Sequence, residues 1–429
     1  MSDRTDGESA TNFIAADAVA ERAAADLRST AAIRSRAGQL LERARAGQSD
    51  WFTLDESKLD AVAHDVAALT RHRFGHKAIP FHSRWRHFEA GGVDRRAQLE
   101  ELIAPMKPTE RAHSRIDLAV ISVLLDAGAG PEWKYTEPAT GQTFTRSEGL
   151  AVASFHAFTG GLFSSDPQRP YQADGQGLRA LVTDHLAQAF QVSDANPLVG
   201  LEGRAVLLRR LGEVMSEQHE IFGDQHRPAG IFDLLLGTAG PDIPPTADVN
   251  AHDILSHLLM SLSGIWPARN AIGAIPLGDC WRHGAVRGEG LSDGWMPFHK
   301  LSQWLTYSLI EPFMWSGCRV HGLETLTGLP EYRNGGLLLD GGVLALKDPA
   351  NAHKVWAPGD ELIVEWRALT VALLDELAPR VRRHLGRSEA EMPLACILEG
   401  GTWAQGRVLA QKLRGGKPPL NVASDGTVF

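Results

Sequence analysis

The sequence predicts a mainly α protein: a single large helical domain with a small β-hairpin or sheet. Three observations carry this. Apolar residues recur at three- and four-residue steps in one Pro-free stretch after another. Alternating strand patterns are scarce. No Ser/Gly linker, internal repeat or shift of composition divides the 429 residues. Residues 1–14, small and polar, are expected to form a disordered tail, and residues 15–429 the helical domain.

Residues 15–46 are rich in Ala, Arg, Glu and Leu, which favours helix on propensity, and Gly47 stops it. Asp55 caps a second helix whose stripe is Leu59, Val62, Val66 and Leu69, ended by Gly75 and Pro80. Arg111–Asp126 carries Ile116, Ala119, Val120 and Val123 on one stripe and stops at Gly128, Gly130 and Pro131. Ser147–Phe158 opens with a serine before Glu148. Residues 178–190 present Leu178, Leu181, Leu186 and Phe190. Further helices are expected over Ala205–Met215, His252–Trp266, Pro297–Phe313, Ile363–Leu385 and Trp403–Leu413. The best strand signal is Gly335–Lys347, where apolar runs flank Asp340-Gly341-Gly342 as a tight hairpin turn.

Composition excludes several classes of function. With 43 Lys+Arg against 52 Asp+Glu, the net charge of −9 argues against a nucleic-acid binder. No apolar run is long enough to span a bilayer, and no secretory signal is visible at Met1–Ser9. The three cysteines, Cys280, Cys318 and Cys396, are too few for a disulfide framework, so a cytoplasmic location is expected. Of the eleven Trp, eight lie at or after Trp266.

The generic phosphate, dinucleotide, zinc-protease and nucleophile-elbow motifs are absent. His219-Glu220 with His226, and His252 with His257, lack metal-ligand helical spacing, and no metal or other cofactor is expected. Cys280 stands beside Asp279, which disfavours a thiolate nucleophile. The stretch 71–87 packs nine Arg, Lys or His residues into seventeen positions. It reads either as a solvated basic loop or as a phosphate pocket, with Arg84 and Arg86 as candidate ligands. The C-terminal half mixes carboxylates, Gly turns and aromatics. There Asp279 and Glu331 are the leading acid–base candidates. Each also has a structural reading, as a cap or as a partner of Arg333. Glu365 and Arg367 read as substrate contacts or as a buried ion pair. Trp281, Trp304 and Trp366 read as pocket walls or as core.

Several stretches together resemble the uracil-catabolism family of the ribosylurea pathway, found in fungi and bacteria. They include Ser83–Phe88 with Gly91–Arg95, Leu124–Gly130, Arg146–Leu150, Pro297–Leu301 with Gln303–Tyr307, Leu326–Gly336, Val364–Ala368 and Ser424–Phe429. The resemblance covers nearly the whole chain after about residue 28. It implies a role near the release of urea from a ribosylurea species. A more remote resemblance joins Thr327–Arg333, the segment with Lys300 and Gln303, Glu365–Ala368 and Asn196–Arg204 to the queuosine-salvage nucleotide hydrolases. Those are helical, related to helix-hairpin-helix glycosylases, and cut an N-glycosidic bond. Their pattern has Asp before Tyr-Arg, whereas Glu331 stands here, and Asn334-Gly335-Gly336 replaces their next residues, so the recognised base should differ.

Together the resemblances imply a metal-independent N-glycosyl hydrolase that releases urea from ribosylurea or its 5-phosphate. Its partner would be that small molecule, not nucleic acid or membrane. Cleavage through an oxocarbenium-like state needs a carboxylate near the anomeric carbon and a water to attack it. Asp279 is the first candidate and Glu331 the second, with Arg333 positioning the latter or the urea oxygen. His299 and Lys300, at a helix start, are candidate phosphate ligands. Two other readings stay open: a metal-dependent amidohydrolase acting on a ureido bond, and a non-catalytic ligand-binding protein.

Overall fold

The computed structural model describes residues 17–237, 247–266 and 270–423. The expected disordered tail, residues 1–14, lies outside them. The expected first helix, 15–46, is two. Residues 17–27 form one, and the chain turns at Arg28-Ser29 before α1 (Thr30–Arg45). Propensity favours helix throughout, but the Ser29 hydroxyl accepts the Ala32 N–H at 3.0 Å and so caps a new start.

Helix α2 (Leu59–Phe74) buries Leu59, Val62 and Val66 and stops at Gly75, whose φ is +58°. Helix α3 (Pro108–Leu124) starts on a proline and is buried continuously from Ser114. Helices α4 (Arg146–Thr159), α5 (Leu201–Glu217) and α6 (Ala251–Ser261) follow the expected stripes. The expected helix over 178–190 breaks into Gly175–Arg179, which the Asp174 carboxylate caps, and Thr183–Ala189, with Val182 extended before the second (ψ 132°). Helix α7 (Lys300–Trp315) is buried from Leu301 to Ile310, α8 spans Tyr332–Asp340, α9 Glu361–Leu385 and α10 Trp403–Arg414. Helix α9 packs on α1 and α2, α7 on α3, and α8 on α10. The main core gathers side chains such as Ile116, Leu124, Tyr307, Leu337 and Leu373 between these helices. Each fully buried large apolar side chain stabilises the fold by roughly 1.5–3 kcal/mol.

The expected hairpin over Gly335–Lys347 is not formed. Its first half is α8, started by the Glu331 cap and seated where Gly335 meets the Trp366 ring; a Cβ there would lie 2.7 Å from that ring. Its second half is a strand that pairs elsewhere. Strands in the described residues are short and lie in two-stranded sheets, among them β1 (Phe52–Leu54), β2 (Cys280–Arg282), β3 (Trp295–Pro297) and β4 (Leu344–Leu346). β1 pairs antiparallel with β4, Thr53 opposite Ala345, and β2 with β3, Trp281 opposite Met296. Pro297 therefore ends a strand, and α7 begins at Lys300 after His299, whose φ is +49°. Val355–Trp356 runs parallel to Asn421–Val422 and ties the C-terminal segment to the helices.

Candidate functional site

One cavity of about 450 Å³ opens where the start of α7, the cap of α8, the end of α3 and the start of α4 converge. The turn 82–87, Trp403 and the segment 416–422 complete its wall.

Lys300 and Trp304 enter from the first turns of α7, four residues apart and so on one face. The Lys300 N–H donates to Asp279 Oδ2 at 2.9 Å. Burial lowers the Lys300 ammonium from its ordinary value, Arg367 adds to that, and Glu331 opposes it. Glu331 accepts the N–H groups of Arg333 and Asn334, each at 2.6 Å, and so starts α8. Burial is the larger influence on its carboxyl and pushes it above the usual range, against those two N–H groups and Lys300.

Asp126 ends α3 in a 2.9 Å pair between its Oδ2 and Arg84 Nη1. Its Oδ1 is buried without a hydrogen-bond partner. Arg84 is fully buried: Nε donates to Ser122 Oγ at 2.7 Å and Nη1 to the Ser147 carbonyl at 3.2 Å. His82 and His87 flank the Trp304 ring, with centroids at 4.7 and 5.7 Å, and the Trp304 Nε1–H has no partner. Burial, then the Arg84 charge, holds His87 down to about 4, so its imidazole is neutral at pH 7. Arg146, with φ +55°, and Lys417 bring two further cations to the wall.

Of the residues singled out in the sequence, Lys300, Trp304 and Glu331 meet in this cavity. Asp279 does not line it. Its carboxylate accepts Arg367 Nη1 and Nη2 at 2.8 Å each and Trp281 Nε1–H at 2.7 Å. Burial would raise Asp279, but Arg367 outweighs it and holds the group down to about 2. The Arg367 guanidinium also lies 4.0 Å from the Phe298 ring centroid, with Nε 3.3 Å from the Pro330 carbonyl. His299 hydrogen-bonds the Leu27 carbonyl through Nε2 at 2.9 Å, behind the wall. Glu365 is paired with Ser49 and, at 3.2 Å, with His283. Arg86 pairs with Glu311 at 3.0 Å and Glu89 at 2.7 Å, and Arg84 stands behind Asp126. Trp366 is core. Arg333 is buried with Nε and Nη1 unpartnered, its guanidinium 4.8 Å from the Tyr332 ring centroid. All three cysteines are buried thiols pushed up by burial, Cys318 to about 11 and Cys396 to about 12.

Sequence reasoning missed Asp126, His82, His87, Arg146 and Tyr332 as wall residues. Asp126 had a signal: a carboxylate directly after Leu118–Leu125, a run apolar but for Ser122, and just before Ala127-Gly128-Ala129-Gly130. The two histidines were counted among basic residues, which hid their ring contacts with Trp304. Among the described residues no group of three or more His, Cys, Asp or Glu side chains is arranged to hold a metal ion. Among them, too, no helix is long and apolar enough to cross a membrane.

The family described as "Protein of unknown function (DUF1688)" matches residues 26–429. The chain is 41 % identical over 413 residues to "Protein urg3" of Schizosaccharomyces pombe, covering 92 % of this chain and 96 % of that one. It is 40 % identical over 415 residues to "Uracil catabolism protein 4" of Lachancea kluyveri, covering 89 % and 93 %.

Proposed function

The chain belongs to the DUF1688 family, and from that premise we propose that it is a hydrolase of uracil catabolism. In this reading it cleaves the N-glycosidic bond of ribosylurea or its 5-phosphate to give urea and ribose or its 5-phosphate. The name of the Lachancea kluyveri relative, aligned over most of both chains, supports the pathway. The resemblance of Thr327–Arg333 and Glu365–Ala368 to queuosine-salvage hydrolases supports the bond type.

The observation that carries the chemistry is the meeting of two carboxylates, Glu331 and Asp126, in one cavity with Lys300 and Trp304. Its volume of about 450 Å³ suits a small sugar derivative. Loss of the N-linked group leaves positive charge at the anomeric carbon. Asp126, which lines the cavity, stabilises that charge. Glu331, which burial inclines to keep its proton, gives it to the departing urea nitrogen. Lys300, Arg146 and Lys417 are the cations that would hold a 5-phosphate. Asp279, the first choice on sequence, becomes a positioning residue: with Arg367 it fixes the Lys300 N–H and the Pro330 carbonyl beside Glu331.

The test is urea release from synthetic ribosylurea and its 5-phosphate. Glu331→Gln and Asp126→Asn are each expected to lose at least about 100-fold in kcat. Full activity in both variants would remove the carboxylates from the mechanism. No turnover of either substrate by the unaltered protein would overturn the hydrolase reading.

A further inference from the structure

The hydrolysis proposed above needs a water made nucleophilic, and neither carboxylate role supplies a base for it. The cavity wall holds another group placed for that work. His82 is 5 % exposed, lines the cavity and lies against Trp304. Its Nδ1 is 2.9 Å from Glu399 Oε2. Burial alone would raise Glu399, but the His82 hydrogen bond and then Arg73 outweigh it and keep the carboxyl below its ordinary range. An ionised carboxylate only accepts, so a hydrogen sits on Nδ1, and in the neutral imidazole the lone pair is then on Nε2.

The dyad is held by local structure that departs from ordinary helix. Glu399 lies in Leu398–Thr402, a single wide turn of π-helix inserted before α10. Such turns cost regular hydrogen bonding and recur where a side chain must be aimed. Gly401 lets this turn press on α2: a Cβ there would fall 2.6 Å from Val66 Cγ1 and 2.7 Å from the Val66 carbonyl oxygen. The close approach puts Arg73 of α2 on Glu399, with Nη2 3.0 Å from Oε1. Glu399 is therefore fixed from both sides, by Arg73 and by His82. On the cavity side His82 shares the wall with Glu331 and His87.

We propose that His82 is the general base of this site, oriented by Glu399 as its positioning residue. The inference rests on the hydrolase reading. As the water oxygen bonds to the anomeric carbon, one water proton passes to His82 Nε2. The C–N bond breaks with its electron pair on the urea nitrogen, which takes the Glu331 proton. Return of the proton from His82 to Glu331 through solvent resets both groups.

The experiment compares the unaltered protein, His82→Asn, His82→Ala and Glu399→Gln on ribosylurea and its 5-phosphate, with thermal melts to show that each variant is folded. His82→Asn should lower kcat by about 100-fold or more with KM within about 3-fold, since a general base acts on the chemical step. Added imidazole should restore part of the His82→Ala rate. Glu399→Gln should lower kcat by about 10-fold. Nitrogen-15 NMR should find His82 protonated on Nδ1 in the unaltered protein. Turnover by the unaltered protein with wild-type kcat in His82→Asn, or His82 protonated on Nε2 alone, overturns the assignment and leaves the hydrolase reading standing. No turnover by the unaltered protein overturns that reading and this inference with it.

Discussion

Arg367 donates both terminal nitrogens of its guanidinium to the carboxylate of Asp279, at 2.8 Å each. Both side chains are buried, and the pair joins α9 to the start of α7 and to the carbonyl before Glu331. Removing one partner leaves the other charge buried and uncompensated. Asp279→Asn should therefore cost about 3–5 kcal/mol in guanidinium chloride unfolding. The Asp279 carboxyl, held down to about 2 when folded, contributes stability that is complete above the unfolded value near 4. That contribution, about 2 kcal/mol, is lost as pH falls toward 2, and acid titration of the unaltered protein against Asp279→Asn measures it.

Glu331 acts as an acid in the proposed reaction, so it works while protonated. Burial raises its carboxyl above the ordinary value, and kcat/KM should fall as pH rises through that raised value. Residual activity in Glu331→Gln should lack this limb. A pH profile of kcat/KM in both proteins checks it, and an unchanged limb would assign it to another group.

His87 is neutral when folded and held down to about 4 by burial and by Arg84. An unfolded histidine binds its proton near 6.5, so the unfolded chain takes up more protons between these values and stability drops as pH falls through this window. From pH 7 to pH 5 the loss from this group is about 2 kcal/mol. His87→Phe, which keeps a ring beside Trp304, should flatten that part of the stability curve. Denaturant melts at the two pH values measure the difference.

Gly401→Ala places a methyl group against the Val66 carbonyl, in a space already filled. Overpacking there should cost about 1–3 kcal/mol in thermal or denaturant unfolding. It should also loosen the Glu399 contact with His82 and lower kcat. A variant with unchanged stability and kcat would show that the π-turn tolerates the shift.

Much of the helical frame was legible because burial repeats at helical spacing: Leu59, Val62 and Val66 face the core as their period requires. Capping decided where the pattern misled. Ser29 splits one propensity-rich stretch. Glu331 turns an apparent hairpin segment into α8, because its carboxylate satisfies two amide donors that a strand would leave to a neighbouring chain. In the site, Glu331, Lys300 and Trp304 were legible as ionisable and aromatic groups beside turns. Asp279 looked the same in sequence, since nothing local reveals that Arg367, 88 positions on, occupies both of its oxygens. Asp126, His82 and Glu399 act across long sequence separations, with His82 and Glu399 lying 317 positions apart. Pairings of that kind become visible only when the chain is folded.

In the proposed reaction the bond between the anomeric carbon and the urea nitrogen is the one that breaks. Ribosylurea labelled with carbon-13 in its urea carbonyl, followed by carbon-13 NMR with purified protein, tests it most directly. The label should appear in intact urea alongside free ribose or ribose 5-phosphate, and Glu331→Gln should slow its appearance at least about 100-fold. Label appearing in bicarbonate, or no change in the substrate signal, would contradict it.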